Sequence, residues 1–454
     1  MEMYSVGRNN CAFYYCLSSY LKFHNDSSIF SQNTLKPIIE SSLMLTIKKH
    51  PRLRFQVDQD IQPPKFIILP LSVFDQLPIS YVKRENDDTV REILENENNK
   101  PFQFNEQTPL WRIIIVASEI SSDFEIIVSF HHVICDGISS MIFFQTFVKY
   151  LNDCQTISSD DFPLLDLYLE QDQALDQICI GKLPSLSSIL LKLIEKLFIP
   201  HILHSYLFPK TYWAGNVQLT GVESNKTCLL SFMLDSNKLN LLYLQCKQNQ
   251  TTVHAALVAS ILLAIIEFNQ HENLELLCGS AINMRKYCQP IISDNQLGIF
   301  ISSANTCHFL NSSSIPNFWL LAQNVKQQLN EQILNEALPI VKLMKFVRNW
   351  NEYVLEERKR LPNGKQASIS LSNVLQWNFA DININNSKWK IVNGGFTQSA
   401  DIIGGIFSVN AMTVNGTLNI YISYQQSNVK QPVDALCIRD NMKKWLETAA
   451  NGNV

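Results

Sequence analysis

The sequence predicts an α/β protein of two lobes, on three observations. Short runs rich in Ile and Val interleave with helical stretches in both halves of the chain. Of the 454 residues, 46% are apolar, enough to build more than one core. A strongly apolar helical stretch separates the halves, whose strand and helix order is similar. The expected division is a first lobe over residues 1–160, a helical connector over 161–215 and a second lobe over 216–454.

In the first lobe Pro64 to Leu69, Trp111 to Ala117 and Phe124 to Phe130 are bounded by turn residues and read as strands, while Leu35 to Lys49 and Ile138 to Leu151 read as helices. The helix at Ile138 starts directly after Asp136-Gly137, so residues 131–137 form a strand-to-helix loop, where polar side chains can project into a cleft. In the connector, Leu186 to Phe208 is apolar apart from Lys192, Glu195 and Lys196, and Pro200 breaks it. It reads as a helix pair packed on both lobes, with an interfacial membrane helix as the sharper alternative.

The second lobe reads as a strand at Cys228 to Leu234, helices at Asn237 to Gln248 and Thr252 to Asn269, and strands at Leu274 to Ile282 and Leu297 to Thr306. A long helix from Pro316 to Val347, interrupted near Pro339, precedes a strand at Ser368 to Leu375. In Phe407 to Tyr424, Asn415-Gly416 sits between two alternating runs, as in a hairpin with a type I′ turn. A helix over Lys430 to Ala449 closes the chain.

Composition excludes several function classes. A net charge of -4 without basic blocks argues against a nucleic-acid binder. Eleven scattered cysteines without a C-x-x-C pair argue against a disulfide framework and a zinc ribbon, so reduced thiols are expected. The start Met1-Glu2-Met3-Tyr4 lacks a secretory signal, and no apolar run reaches the roughly 18 residues of a membrane span. A cytoplasmic protein is expected. Neither phosphate cradle, G-x-x-x-x-G-K-S/T or G-x-G-x-x-G after a strand, is present. His201 and His204 have metal-like spacing but no third ligand nearby, so no metal is expected.

The segment His131-His132-Val133-Ile134-Cys135-Asp136-Gly137 carries the chemistry. A neutral His132 can accept a proton near operating pH. Two histidines after a buried strand could equally be a satisfied core pair, but the complete spacing at a strand-to-helix junction favours function. Cys135 reads as a small buried hydrophobe and not a nucleophile.

H-H-x-x-x-D-G resembles the signature of the coenzyme A-dependent acyltransferase superfamily, which includes chloramphenicol acetyltransferase, plant acyltransferases and condensation domains of peptide synthetases. His50-Pro51-Arg52-Leu53, Pro109-Leu110-Trp111-Arg112, Asn283-Met284-Arg285 and Ser372-Asn373-Val374 narrow this. From about Gly7 to Tyr424 the chain resembles the fungal alcohol acetyltransferase family, whose members include a yeast N-acetyltransferase that detoxifies a sphingosine-like antibiotic. The D-F-G-W-G segment of plant acyltransferases is absent, which disfavours a plant-type acceptor.

The resemblance implies a two-lobed coenzyme A-dependent acyltransferase fold with mixed sheets and a substrate tunnel between the lobes. Acetyl-CoA is then the co-substrate, and His132 the general base, without a covalent intermediate. It also implies that Asp136 faces away from His132 in a salt bridge with Arg285, and Gly137 is expected to permit a tight turn where a Cβ would crowd. Candidates for the oxyanion donors are Ser370, Ser372 and Asn373; strand alternation puts the two serines on one face and Asn373 on the other.

The expected function is acetyl transfer to the hydroxyl or amine of an apolar acceptor, a medium-chain alcohol or a sphingoid-like amine. Two alternatives are a non-catalytic binding module with the same fold and a condensation-type enzyme using carrier-bound thioesters. A monomer is expected, with weak peripheral contact of the 186–208 segment with the endoplasmic reticulum membrane.

Overall fold

The computed structural model describes residues 2–10, 16–25, 32–61, 63–118, 122–153, 175–181, 207, 210–218, 226–270, 273–384 and 387–453. The chain begins with α1 (Glu2–Asn10), β1 (Cys16–His24), α2 (Gln32–Lys49), the small hairpin β2 (Phe55–Asp58) and β3 (Lys65–Ile68), and β4 (Ile79–Lys83). It continues through α3 (Thr89–Asn98), β5 (Trp111–Ala117), β6 (Asp123–His131) and α4 (Gly137–Asp153). A one-turn helix, Leu175–Ile178, lies in the connector; β7 (Thr227–Leu234), α5 (Ser236–Gln248), α6 (Val253–Phe268), β8 (Asn273–Asn283) and β9 (Ile301–Asn311) follow. The rest is α7 (Phe318–Gln332), α8 (Trp350–Lys359), β10 (Ala367–Trp377), β11 (Ile382–Ile384), β12 (Ser387–Gln398), β13 (Gly405–Val414), β14 (Thr417–Gln425) and α9 (Pro432–Ala450).

Two six-stranded sheets organise these elements, in the orders β11-β12-β1-β6-β5-β4 and β7-β14-β13-β10-β8-β9. Both are mixed: β4 runs parallel to β5 in the first, and β10 runs parallel to both neighbours in the second. Strand β6 reads as a continuous apolar run because both its faces are covered. Phe124, Ile126, Val128 and Phe130 pack with Phe143 and Phe147 of α4, while Ile127 packs with Tyr20, Val116 and Tyr421 on the other side. Helix α6 is likewise buried all round, from Ala255 to Ile266, which explains its unbroken apolar sequence. No single described helix is long and apolar enough to cross a membrane.

The expected hairpin is present. Asn415 and Gly416 have φ of 46° and 87°, and Val414 pairs with Thr417. Two readings need correction. Strand β9 begins at Ile301, because residues 297–300 form a loop that bonds to the start of α4. The long helix after Pro316 ends as regular α-helix at Gln332, passes through a wider turn over Ile333–Ala337, and resumes at Leu338 with Pro339 in the first turn, where its missing N–H costs nothing.

The boundary at 216 does not separate the sheets. Ile382–Ile384 and Ser387–Gln398, expected in the second lobe, form β11 and β12 and extend the first sheet. β12 pairs antiparallel with β1 from Leu17↔Gln398 to His24↔Lys390, filling the strand edge that β6 leaves open. Gly394 and Gly395 permit this crossing, since a Cβ on Gly395 would lie 2.4 Å from the Tyr20 ring. The apolar segment from Leu186, with Lys192, Glu195, Lys196, His201 and His204, lies outside the described residues, as does the acidic stretch from Asp160.

Candidate active site

Strand β6 delivers its last residue, His131, to the loop that opens α4. The His131 N–H donates to Leu110 O at 2.8 Å, and the Ile134 N–H donates to His131 O at 3.1 Å, closing a tight turn. His131 Nδ1 accepts from the Val133 N–H at 3.0 Å, which leaves Nε2 to donate to Asn9 Oδ1 at 3.2 Å. Both nitrogens are thus engaged with the imidazole neutral, and Phe102 and Phe104 pack against the ring. Burial, aided by the neighbouring His132, pushes the His131 pKa down to about 3.

His132 is 1% exposed. Burial is the main influence on its ring and lowers the pKa to about 4; the Asp136 and Asp401 charges raise it and Arg8 lowers it further. Arg8, on α1, and Asp401, in the loop after β12, form an ion pair of 2.7 Å. Asp401 Oδ1 also accepts from the Ile403 N–H at 2.9 Å, which fixes that loop. His132 is therefore a neutral imidazole at neutral pH, held in a largely water-free setting with one cation and two carboxylates in its field.

Asp136 caps α4. Its Oδ1 accepts from the Ser139 N–H at 2.7 Å, as an N-cap aspartate does. Its carboxylate also receives both terminal nitrogens of Arg285, Nη1 to Oδ2 at 2.9 Å and Nη2 to Oδ1 at 3.1 Å, and the Phe300 N–H at 2.9 Å. Arg285 further donates to Ser139 Oγ at 2.9 Å, and its guanidinium lies over the Phe300 ring, 4.9 Å from the centroid. Burial alone would raise the Asp136 carboxyl; the Arg285 charge and these hydrogen bonds outweigh it and hold the pKa below the usual value. Loop residue Gly298 completes the junction, its carbonyl accepting from the Asp136 N–H at 3.1 Å and the Ser139 hydroxyl at 2.9 Å.

The short motifs that carry the family resemblance surround this loop. The Arg52 Nε–H donates to Ile134 O at 3.0 Å, His50 Nε2 meets Thr146 Oγ1 of α4 at 2.8 Å, and the Trp111 indole donates to Leu53 O at 2.7 Å. Gly137 has an ordinary backbone conformation, so its turn does not require glycine. The constraint is a contact: a Cβ would lie 2.4 Å from Val374 Cγ1 and 3.4 Å from the Phe396 ring. Val374 of β10 therefore lies against the start of α4.

The three oxyanion candidates differ. Ser370 Oγ accepts from the Gly405 N–H at 2.9 Å, a bond that ties β10 to β13. Asn373 Oδ1 accepts from the Leu375 N–H at 2.9 Å and stabilises an irregular step in which Leu375 has φ of 70°, so its oxygen is occupied by backbone. Ser372 is half-buried, and no described residue hydrogen-bonds its hydroxyl. Cys135 is buried, its thiol donates to Asp136 O at 3.3 Å, and burial raises its pKa well above the usual value. It is not a nucleophile at neutral pH.

Sequence reasoning missed Arg8, Asn9, Ser139, Phe300 and Asp401. A signal existed for Arg8, a lone cation in the small and apolar run Ser5-Val6-Gly7; for Asp401 there was none, because its place depends on the crossing of β12. Among the described residues no group of three or more His, Cys, Asp or Glu side chains could hold a metal ion.

The chain is similar to several known proteins. The chain is 24% identical over 442 residues to the probable alcohol acetyltransferase crmB of Aspergillus fumigatus, covering 91% of both. It is 22% identical over 435 residues to the N-acetyltransferase SLI1 of Saccharomyces cerevisiae, covering 86% of this chain and 88% of that one. The solved structure of TRI3 trichothecene 15-O-acetyltransferase from Fusarium sporotrichioides is similar with a TM-score of 0.76 at 14% identity, over 99% of this chain and 93% of that one. The epimerization domain from the third module of tyrocidine synthetase B gives 0.66 at 14% identity, over 100% and 96%, so the fold is the two-lobed one of these proteins. The family model for alcohol acetyltransferases matches residues 72–441, most of the chain including the His131–Gly137 loop, and the protein belongs to the alcohol acetyltransferase family of enzymes.

Proposed function

We propose that the protein transfers an acetyl group from acetyl-CoA to the hydroxyl or amine of an apolar acceptor, a medium-chain alcohol or a sphingoid-like amine, with His132 as general base. The observation that carries this reading is the state of the loop: a neutral, buried His132 beside an Asp136 engaged by Arg285 and by the Ser139 and Phe300 N–H groups. The carboxylate then orders the loop and does not relay protons for the imidazole.

His132 takes the acceptor's proton as the acceptor's lone pair attacks the thioester carbonyl, and passes it to the departing thiolate as the tetrahedral adduct collapses. A buried imidazole resists protonation, but the oxyanion that forms with it supplies the opposite charge, so burial costs less in the transition state than in the free enzyme. Ser372 is the preferred hydroxyl donor to that oxyanion. The base contributes about 10²–10⁴-fold. Holding both substrates together between the sheets can contribute as much as ~7–11 kcal/mol, so positioning matters at least as much as the base. The acetyl donor is inferred from the family, whose model is that of alcohol acetyltransferases, and no step needs a metal.

A free-thiol release assay with acetyl-CoA, run against small alcohols, fatty alcohols, sterols and sphingoid amines, tests this. Acceptor-dependent release with at least one apolar alcohol or amine supports it. Release only with carrier-bound thioesters, or none with any acceptor, overturns it.

A further inference from the structure

Outside the active site, two cysteines face each other where the connector meets the loop that carries Arg285. Cys179 and Cys288 form an isolated antiparallel bridge, held by the Ile180 N–H to Tyr287 O at 2.8 Å and the Gln289 N–H to Ile178 O at 2.8 Å. Bonds from the residues on either side, with none between the two cysteines, define the non-hydrogen-bonded type of antiparallel pair. In that type the Cα atoms stand about 4.5 Å apart and both side chains project from the same face. This falls within the span of about 4.4–6.8 Å that a disulfide bridges without moving the backbone. Both residues are buried, while the neighbouring Ile180, Gln289 and Ile291 are exposed, so the pair lies close to the surface.

We propose that Cys179 and Cys288 are a reversible disulfide site that staples the 175–181 segment to the Arg285 turn. The turn is joined to Cys288 directly: the Cys288 thiol donates to Met284 O at 3.3 Å, and its N–H donates to Arg285 O at 3.4 Å. With oxidised glutathione as the oxidant, the Cys179 thiolate attacks a sulfur of the glutathione disulfide and expels one glutathione thiolate; burial pushes the Cys288 thiol up to about 11, so it reacts second, in the intramolecular step. The second cysteine thiolate then attacks the protein sulfur of the mixed disulfide and expels the other. Two protein thiols are oxidised, one glutathione disulfide is reduced to two thiols, and the two cysteine protons go to solvent. The cross-link closes a long loop, so the oxidised form should unfold at a higher temperature than the reduced form.

The full-length protein is equilibrated with oxidised glutathione, its remaining thiols are alkylated, and the digested peptides are mapped by mass spectrometry. The expected result is a linked pair of peptides containing Cys179 and Cys288 that dithiothreitol separates, with a raised thermal midpoint that Cys179→Ser does not show. Recovery of both as alkylated thiols, as single glutathione adducts, or bonded to other cysteines overturns the proposal, whatever the variant does.

Discussion

Asp136 and Arg285, 149 positions apart in the chain, meet in a bidentate ion pair of 2.9 and 3.1 Å with both side chains buried. Arg285 opens the turn two residues beyond the second sheet's β8, and Asp136 caps the helix that follows the first sheet's β6, so one ion pair ties the two sheets together at the His131–Gly137 loop. Removing one partner strands a buried charge, which typically costs ~3–5 kcal/mol. Asp136→Asn can still cap α4, so its loss reports the charge. Urea unfolding of Asp136→Asn, Arg285→Gln and the double variant should give a double loss smaller than the sum by at least ~0.5 kcal/mol. Strictly additive losses would show that the pair is not coupled.

Gly137→Ala should destabilise the protein by ~1–3 kcal/mol, because the new methyl overlaps Val374 Cγ1. The double variant Gly137→Ala, Val374→Ala removes the obstacle and should recover part of the loss in thermal midpoint and in activity. A Gly137→Ala protein that is unchanged, or a loss that Val374→Ala deepens, would mean that the contact is not what demands glycine.

Four buried histidines and the half-buried His254 should make the protein sensitive to acid. Burial lowers the pKa from 6.5 to about 4 in His50, His132, His254 and His308, and to about 3 in His131. Below about pH 6.5 the unfolded chain takes up protons on these rings while the folded protein does not, so stability is fully present above that pH and is lost as pH falls toward 4. Each such ring costs up to about 1.4 kcal/mol per pH unit. Urea midpoints at pH 7 and pH 5 should differ clearly, in favour of pH 7. The acid limb of acetyl transfer should likewise fall well below 6.5, and equal midpoints would contradict the burial of these rings as neutral bases.

The apolar stretch from Leu186 to Phe208 leads to an expectation of location. Its basic residues give little attraction to anionic lipids, at about 1 kcal/mol each, so association with a membrane such as the endoplasmic reticulum would depend on apolar burial and resist moderate salt. In liposome flotation the parent should float and a Leu190→Glu, Leu193→Glu, Leu197→Glu variant, active on a soluble acceptor, should not. Equal behaviour of the two would leave the stretch as a connector.

What the sequence made legible was local. The Asn415-Gly416 hairpin, the buried α6 and the loop from His131 to Gly137 each announce themselves through turn chemistry, composition or spacing over a few residues. The strands β1 and β12 did not, because Ser18-Ser19 and Gly394-Gly395 interrupt their apolar runs, and their pairing is decided by tertiary contacts such as Gly395 against Tyr20. The same crossing places Asp401 beside Arg8, and so the charged surroundings of His132 emerged only with the fold. Ser370 and Asn373 were legible as polar groups of the strand, but not that their oxygens accept from the Gly405 and Leu375 N–H groups, in a β10–β13 tie and an irregular backbone step, which leaves the Ser370 hydroxyl proton and the Asn373 amide as their donors.

The most direct test of the account is the steady-state rate of acetyl transfer by His132→Ala, measured beside its affinity for acetyl-CoA. If His132 is the base, kcat/KM for the acceptor falls by about 10²–10⁴-fold while the Kd for acetyl-CoA stays within a few-fold of the parent's. Turnover close to that of the parent, with acetyl-CoA still bound, would contradict it.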